Sequence, residues 1–265
     1  MNPGLILTGL SAATAIGNLA SYYPKMMSNR ATLRPRREQS LMILAVLLAG
    51  EGFFLHPGII GYLLGAIAVL PAVLFLLGTL TSGLPHQQPA VAVDALAPDF
   101  SALDADGREF RLSDLRESTV LLKFYRGYWC PYCVAELTEL NKFAGDFAAL
   151  GVKLVAVSSD RVDELRPFKR KHSWDITLVA DPALAVHRRY NVQQRNFTPR
   201  RGPFRDLAIP ATILIDRDGR ILWLEQAADF RVRPQAALVL AKTRSLLSTS
   251  QPNIESPAPC VVCAA

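Results

Sequence analysis

The sequence predicts an α/β protein, a three-layer sandwich with a mixed sheet that is preceded by an N-terminal region of transmembrane helices. An almost uncharged apolar stretch occupies residues 41–80 of the 265-residue chain. From residue 97 onward, apolar segments typical of strands alternate with segments of helical spacing. The last two strand-like segments are separated only by a tight turn, which predicts an antiparallel hairpin beside parallel strands. Helices usually cover both faces of such a sheet.

The stretch at residues 41–80 is predicted to enter a membrane, because its only formal charge is Glu51. As one helix it would be about 60 Å long, roughly twice the hydrocarbon thickness of a bilayer. We therefore expect a helical hairpin that reverses near Pro57. The second arm, residues 59–80, is long enough to span. The first arm, residues 41–55, either spans at a tilt or only dips into the membrane.

A further spanning helix is predicted over residues 4–20, with a buried or interfacial helix as the alternative. The stretch has no basic residues at its start, so a cleaved signal peptide is not expected. Five Lys and Arg residues between positions 25 and 37 indicate a cytoplasmic loop before the hairpin. The absence of Lys and Arg from residues 83–107 points the other way. Because two crossings return the chain to its starting side, we expect a multi-pass protein of the cell membrane with a cytoplasmic soluble domain.

The rest of the chain is predicted to hold a tether, a soluble domain and a tail. The predicted limits are 1–80 for the membrane helices, 81–96 for the linker, 97–248 for the domain and 249–265 for the flexible tail. Strands are predicted at residues 119–125, 153–158, 176–180, 212–216 and 221–225. Helices are predicted at residues 131–150, 162–172, 182–190 and 234–247. A domain of this length is large enough for its own core.

The motif Cys130-Pro131-Tyr132-Cys133 lies between a predicted strand and a predicted helix. Two cysteines three residues apart at a helix start lie on one face, close enough to form a disulfide and release it. The helix N-terminus favours a thiolate on Cys130, and Pro131 fits the first turn because no hydrogen bond is lost there. We therefore predict a redox-active disulfide, in which Cys130 attacks and the more buried Cys133 resolves the mixed disulfide. No metal or cofactor is expected, only an external thiol reductant.

Several neighbouring residues are candidates for supporting this chemistry. Trp129 and Tyr132 flank the cysteines and are expected to form an apolar docking rim, with ordinary core packing as the alternative. Arg126 either turns inward and favours the attacking thiolate or is a solvated surface charge. If Pro210 is cis, the backbone of Ile209 would lie beside the dithiol, where an extended substrate could pair with it. Otherwise Pro210 is a plain turn or edge-strand proline.

A second pair, Cys260 and Cys263, lies in a tail rich in Pro and Ser. A flexible tail of this length has an r.m.s. reach of roughly 20 Å, enough to approach the first pair in many geometries. One hypothesis is a tethered shuttle that reduces the Cys130–Cys133 disulfide. The alternative is an incidental or metal-scavenging tail. A zinc site from all four cysteines is disfavoured, because a proline lies inside the first pair and the second pair is expected to be mobile.

The segment between residues 187 and 205 contains six arginines and no acidic residue. A solvated loop is the simplest interpretation, and a surface for anionic lipid headgroups or an acidic partner is the alternative. Aromatic residues are sparse among the arginines, so nucleic-acid binding is not expected.

The order of a strand, C-x-x-C, a helix and a later Ile-Pro before a strand resembles the thioredoxin fold. More specifically, four segments look like the peroxiredoxin-like branch of the alkyl hydroperoxide reductase/thiol-specific antioxidant family. They are APDF at 97–100, LSDL at 112–115, FYRGYWCPYC at 124–133 and IPAT at 209–212. The resemblance covers residues 97–247 and implies a thioredoxin-like three-layer sandwich with thiol-dependent redox chemistry.

Three positions depart from the family patterns. Peroxiredoxins typically have Thr or Ser three residues before the peroxidatic cysteine, where Gly127 stands here. They also have an Arg before the late strand, where Ile209-Pro210 resembles the cis-proline loop of thioredoxins instead. Thioredoxins in turn have a buried Asp where Phe124 stands. The chain thus combines a peroxiredoxin-like frame with a thioredoxin-like site.

These observations predict a membrane-anchored thiol–disulfide oxidoreductase that uses the Cys130–Cys133 dithiol. Its expected partners are a disulfide-containing protein or a hydroperoxide, a thiol electron donor and the lipid bilayer. One alternative is a thiol peroxidase that reduces hydroperoxides through Cys130. A further alternative is a non-catalytic membrane scaffold that keeps the fold.

Overall fold

The computed structural model describes residues 2–85, 88–198 and 205–249. Three helices come first: α1 (Pro3–Met27), α2 (Arg36–Phe54) and α3 (Gly58–Leu80). The strands are β1 (Ser101–Asp104), β2 (Glu109–Arg111), β3 (Thr119–Tyr125), β4 (Val152–Ser158), β5 (Thr177–Ala180), β6 (Gln193–Thr198), β7 (Arg205–Ala208), β8 (Ala211–Ile215) and β9 (Ile221–Gln226). The later helices are α4 (Pro131–Lys142), α5 (Ala144–Ala149), α6 (Val162–His172), α7 (Ala185–Tyr190) and α8 (Ala236–Thr249).

Helices α1, α2 and α3 pack together through small side chains. The buried contact residues include Ala12, Ala15, Ala45, Ala68 and Ala72. A Cβ atom at Gly4 would lie 2.7 Å from the Gly52 carbonyl oxygen, so a larger residue there would force α1 and α2 apart. Contacts between small residues are the usual way in which helices pack inside a bilayer.

Within the described residues, α1 and α3 are long and apolar enough to cross a membrane, by length and composition. Large apolar side chains on α3, including Ile59, Leu63 and Leu70, are exposed. The helices extend beyond their predicted limits, because α1 continues to Met27 and α2 already begins at Arg36. The chain reverses between α2 and α3, in the segment where the sequence predicts a break.

The seven-stranded sheet has the order β2-β1-β5-β4-β3-β8-β9. Strands β3, β4 and β5 are parallel, whereas β8 and β9 form the antiparallel hairpin and β1 pairs antiparallel with β5. All seven residues of β3 are buried. Strand β3 is therefore central, and its carboxyl end delivers the chain to the Cys130 motif.

Two apolar cores cover the two faces of the sheet. On one face, side chains from α4, α5, α6 and α8 pack together, including Leu137, Phe147, Leu165 and Leu240. On the other face, α7 and the segments before β1 and β3 supply the core. The predicted α/β sandwich with a mixed, thioredoxin-like sheet is confirmed.

Several elements differ from those predicted. The helix expected at residues 131–150 is two helices, α4 and α5, that are separated by Phe143. Helix α7 begins later than expected, because Leu184 before it has a φ of 54°. Strands β1, β2, β6 and β7 were not predicted. The first two are short and have no apolar run, and β6 lies in the arginine-rich segment.

The predicted linker is bound to the domain and does not lie free as a tether. The hydroxyl of Ser82 donates to Asp229 at 2.7 Å, and the backbone N–H of Leu84 donates to the Ala228 carbonyl at 2.9 Å. Val91 is buried in the core on the α7 face. The helical region therefore joins the domain through a fixed connection.

Candidate active site

The dithiol lies where β3 turns into α4. Cys130 is the N-cap residue with extended backbone, and Pro131 is the first helical residue. The backbone N–H groups of Cys133 and Val134 both donate to the Cys130 carbonyl at 3.0 Å, which places the two cysteines on consecutive turns. Both cysteines are free thiols, and they are only 2% and 0% exposed. The structure thus brings the predicted pair together in a buried position.

Cys133 faces a buried ionic cluster that the sequence analysis missed. The guanidinium of Arg233, from the loop before α8, donates from Nη2 to Cys133 Sγ at 3.5 Å. Its Nε lies 3.1 Å from Glu136 Oε2, an ion-pair distance without good hydrogen-bond direction. The other Glu136 oxygen accepts from Lys123 Nζ at 2.5 Å. Lys123 also donates to Thr212 on the neighbouring strand β8, at 2.5 Å.

These surroundings shift the pKa values of the two thiols in opposite directions. Hydrogen bonding with Cys133 and burial raise the pKa of Cys130 well above its usual range. Burial opposes ionisation of Cys133 as well, but the hydrogen bond from Cys130 and the charge of Arg233 outweigh it and lower its pKa to about 6. One proton is therefore shared by the pair, and the negative charge lies on the Cys133 side.

This result corrects the prediction that Cys130 is the acidic thiol. The helix start does act in the predicted direction, because the backbone N–H of Cys133 favours the Cys130 thiolate. This backbone hydrogen bond changes the pKa of Cys130 less than the side-chain hydrogen bond with Cys133 and burial do. The cation that decides the matter, Arg233, contacts the other sulfur.

Aromatic rings and one further cation surround the dithiol. Arg126 is 3% exposed, so its interpretation as a solvated surface charge is wrong. Its guanidinium carbon lies 4.5 Å from the Phe230 ring centroid and 5.6 Å from that of Trp129. Trp129 and Tyr132 are half-buried, and the Tyr132 and Phe230 rings meet edge to face at 6.0 Å. A partner that reaches Cys130 must displace part of this cover.

Gly127 cannot be replaced by the hydroxyl residue that peroxiredoxins have at this position. Its φ is 144°, a region that favours glycine. A Cβ atom there would lie 2.5 Å from Trp129 Nε1 and 2.6 Å from Asp160 Oδ1. The backbone conformation and the neighbouring side chains therefore exclude Thr or Ser at position 127, where the sequence has Gly.

Asp160, at the end of β4, holds the turn that precedes the dithiol. Its carboxylate accepts from the backbone N–H of Tyr128 at 2.8 Å and from the Ser158 hydroxyl at 2.9 Å. Burial raises the pKa of this carboxyl to about 7. The sequence analysis missed this residue, although a buried strand that ends in Ser-Ser-Asp was a usable signal.

Pro210 and Ile209 do not adopt the arrangement that the sequence suggested. No cis peptide bond is present in the described residues, so Pro210 is trans. The backbone N–H of Ile209 donates to the Val192 carbonyl at 2.8 Å and is not available to an extended substrate. Pro210 instead lines a cleft of about 240 Å³ together with Lys123 and Arg233.

The remaining candidates lie outside the described part of the chain. Cys260 and Cys263 belong to residues 250–265, and most of the arginine-rich segment's side chains are likewise not described. Of those arginines, Arg189 donates to the Asp99 carbonyl. Among the described residues, no group of three His, Cys, Asp or Glu is arranged to hold a metal ion.

The helical region reaches the edge of the site. The side-chain amide of Asn29 donates to the Pro234 carbonyl at 3.0 Å, and Arg231 Nη2 donates to the Leu33 carbonyl at 3.3 Å. Tyr22 of α1 is an electrostatic neighbour of Tyr132 within the dithiol motif. The end of α1 and the loop after it therefore lie beside the cysteines.

Known proteins are similar to this chain in sequence and in fold. Residues 93–224 match the AhpC/TSA family. The thiol-disulfide oxidoreductase ResA of Geobacillus kaustophilus is 31% identical over 156 residues, 58% of this chain and 81% of that protein. ResA of Geobacillus thermodenitrificans is 32% identical over 136 residues, 51% of this chain and 70% of that protein.

Solved structures agree on the fold. Peroxidoxin BcpB from Mycobacterium tuberculosis has a TM-score of 0.51 at 22% identity, covering 60% of this chain and 98% of that chain. A mutant of peroxiredoxin 6 of Arenicola marina has a TM-score of 0.56 at 20% identity, covering 65% and 86%. The resemblance drawn from the sequence motifs is thereby confirmed. The chain belongs to the AhpC/TSA family, as a thiol-dependent oxidoreductase with a peroxiredoxin-like, thioredoxin-type fold.

Proposed function

We propose that the protein is a membrane-anchored thiol–disulfide oxidoreductase whose redox centre is the Cys130–Cys133 dithiol. The observation that carries this proposal is the contact between Arg233 and Cys133, beside a second thiol one helical turn away. A buried cation against one sulfur favours the thiolate, which is the reactive form in disulfide exchange. Relatives that are named thiol-disulfide oxidoreductases support the same activity.

In the reductive direction, the proton shared by the pair moves onto Cys133 and leaves Cys130 as the attacking thiolate. Cys130 Sγ forms a bond with one substrate sulfur, and the substrate S–S bond breaks to release the other sulfur as a thiolate. Cys133, deprotonated again beside Arg233, then attacks Cys130 Sγ and releases the second substrate thiolate. Two electrons pass to the substrate, two protons follow, and the enzyme disulfide is reduced again by an external thiol.

The membrane anchor is supported by the exposed apolar faces of α1 and α3 and by their small-residue contacts. The basic loop between α1 and α2 lies on the domain, because Asn29 and Leu33 bond to residues next to the dithiol. In the proposed topology α2 and α3 both cross the bilayer, so that the loop and the domain are on the same side. Since the loop is basic, we assign that side to the cytoplasm.

Disulfide exchange by full-length protein in detergent tests this function. Cys130→Ser should abolish reduction of a model disulfide, whereas Cys133→Ser should accumulate a mixed disulfide on Cys130 that mass spectrometry detects. Retained exchange in Cys130→Ser would overturn the proposal and support a non-catalytic scaffold. Labelling of Cys130 in intact cells and in inverted vesicles, after mild unfolding, would show which side of the membrane holds the domain.

Hydroperoxide reduction is the second candidate function, favoured by the peroxiredoxin-like fold. Gly127 counts against it, because the site lacks the hydroxyl that holds a peroxide and has no space for one. Oxidation of Cys130 by peroxide faster than about 10⁴ M⁻¹s⁻¹, in the range of efficient enzymes, would favour a peroxidase.

The tail pair Cys260/Cys263 is proposed as an electron shuttle to the first pair. Its two cysteines suit transfer by exchange, and its predicted reach is sufficient. If this is correct, Cys260→Ser should slow steady-state turnover but leave a single reduction by pre-reduced enzyme unchanged. Equal steady-state turnover in Cys260→Ser and in the wild type would contradict a shuttle role for the tail.

A further inference from the structure

The loop between β9 and α8, residues 227–234, lies between the helical region and the dithiol; we refer to it as the connecting loop. Two of its side chains reach the dithiol. Arg233 donates to Cys133 Sγ at 3.5 Å, and the Phe230 ring packs against Arg126 and Tyr132. Any movement of this loop would therefore change the surroundings of both cysteines.

The opposite side of the connecting loop is bonded to the helical region. The hydroxyl of Ser82, just beyond α3, donates to Asp229 Oδ2 at 2.7 Å, and both groups are buried. The Ser82 carbonyl accepts from the Phe230 backbone N–H at 3.2 Å. Leu33 and Asn29, between α1 and α2, bond to Arg231 and Pro234. The loop between α1 and α2 and the segment just beyond α3 thus both bond to the connecting loop.

Asp229, which accepts from Ser82 of the helical region, also bonds to the two arginines of the connecting loop. Its carboxylate accepts from Arg231 Nε at 3.1 Å, from Arg231 Nη2 at 2.8 Å and from the Arg231 backbone N–H at 2.8 Å. Its backbone carbonyl accepts from Arg233 Nη1 at 3.3 Å. Asp229, Arg231 and Arg233 are each at most 5% exposed. A buried carboxylate with this many partners fixes the backbone from which Arg233 projects.

We propose that Ser82 and Asp229 are positioning residues, through which the end of α3 sets the placement of Arg233 against Cys133. The helical region is then part of the active site and not only an anchor. The proposal rests on the dithiol function above. It assigns to the helix–domain junction a role in the reactivity of Cys133.

Other groups near Cys133 must be distinguished from Arg233 in any pH measurement. They are Tyr125 on β3, Arg126 in the turn, Cys130 and Glu136 on α4, Asp160 after β4, and Lys123 through Glu136. Ser82 itself bonds to Thr79, Asp229 and Phe230. A change caused by Ser82 therefore has to travel through the connecting loop.

The test is a pH titration of thiolate absorbance in the reduced full-length protein in detergent. Ser82→Ala should lower the ionisation constant of Cys133 about threefold, the scale of one buried hydrogen bond. Ser82→Thr, which keeps the hydroxyl, should restore it. Thr81→Ala is the matched control, because that neighbouring hydroxyl donates to the Leu77 carbonyl within its own helix.

A double variant separates positioning from general damage. In an Arg233→Gln background, Ser82→Ala should cause no further change, because the residue it acts through is already gone. Asp229→Asn provides a second route if Ser82→Ala unfolds the protein, and it should shift the titration in the same direction. An unchanged titration in Ser82→Ala, or an equal shift with and without Arg233, would overturn the proposal. Because the titration uses no substrate, this failure is distinct from a failure of disulfide exchange.

Discussion

The two ends of the dithiol motif lie in different surroundings. Cys130 belongs to an apolar cluster against which Trp129 and Tyr132 pack, and the Trp129 and Phe230 rings lie against Arg126. Cys133 contacts the ionic cluster, which includes Arg233. Both sulfurs are buried, yet their pKa values move in opposite directions. Burial by itself therefore disfavours a thiolate, and a directed cation can reverse that effect.

The ionic side also carries an excess of positive charge. Lys123, Arg126 and Arg233 are buried cations, and Glu136 is the carboxylate bonded between two of them. A thiolate on Cys133 balances part of this charge, and oxidation to the disulfide removes it. The cluster should thus stabilise the reduced form, which makes a disulfide more oxidising. Changes on this side should have the largest effects.

Arg233→Gln should produce the largest change. Without the guanidinium, the pKa of Cys133 should rise by about one unit, because the hydrogen bond from Cys130 then opposes burial without the charge of Arg233. The ionisation constant should fall about tenfold, so that the thiolate fraction at pH 7 falls from about nine-tenths to about one half. Thiolate absorbance against pH measures this directly.

The control for that variant is Arg244→Gln, which removes an equal charge from an exposed ion pair with Asp146. Such surface pairs contribute little, so the titration should not move. If Arg233→Gln titrated like the wild type, Arg233 would not be what favours the thiolate at Cys133 over Cys130.

Glu136→Gln should act in the opposite direction and more weakly. Removing this carboxylate leaves Lys123 and Arg233 to act on Cys133 alone, so the reduced protein should be favoured. Equilibration with glutathione buffers should show a shift of about three- to tenfold towards the dithiol, where tenfold corresponds to about 30 mV. Arg233→Gln should shift the same equilibrium towards the disulfide. If both variants shifted the dithiol–disulfide equilibrium in the same direction, the charge explanation would be contradicted. General destabilisation of the fold gives no reason for the two variants to shift it in opposite directions.

The pH dependence of stability should also differ between the two cysteines. The pKa of Cys133 is lowered from 9.0 to about 6 in the folded protein, so the unfolded chain binds a proton that the native state has lost. Stability of the reduced protein should therefore rise from pH 6 to 9. Asp160, with its pKa raised to about 7, opposes this only below pH 7. Chemical unfolding between pH 7 and 9 should show a slope that disappears in Cys133→Ser and in the oxidised protein.

The smallest effect is expected on the aromatic side. Phe230→Ala should expose Cys130 and speed its alkylation by a few-fold, because part of its cover is lost. The alkylation rate of Cys130, measured by peptide mass spectrometry, checks this. Phe110→Ala is the matched control, since that half-buried ring packs on Phe100 at the far edge of the sheet. Equal rates in both variants would show that Phe230 does not restrict access.

Much of the fold follows from local patterns in the sequence. The alternation of strands and helices, the β8–β9 hairpin and the position of Cys130 and Cys133 are all local features. The short strands β1 and β2, at one end of the sheet, have no apolar run, because many of their side chains are exposed. Strand β1 pairs with β5, and β2 pairs with β1, so their place in the sheet depends on a strand more than 70 residues later in the chain.

The site was only partly predictable for the same reason. Lys123 interrupts an apolar strand, and Glu136 follows Cys133 at helical spacing, so both carried a usable signal. Arg233 lies 100 residues from Cys133 in the chain and belongs to no recognisable motif. The sequence therefore placed the two sulfurs together but did not indicate which one holds the charge.

Cysteine labelled with ¹³C at Cβ would assign the titration of each sulfur in the reduced full-length protein, with Cys130→Ser and Cys133→Ser as assignment standards. We expect the Cys133 signal to titrate near pH 6 while Cys130 remains protonated through that range. Ionisation of Cys130 first, or of neither thiol below its usual range, would contradict the assignment of the charge to the Arg233 side.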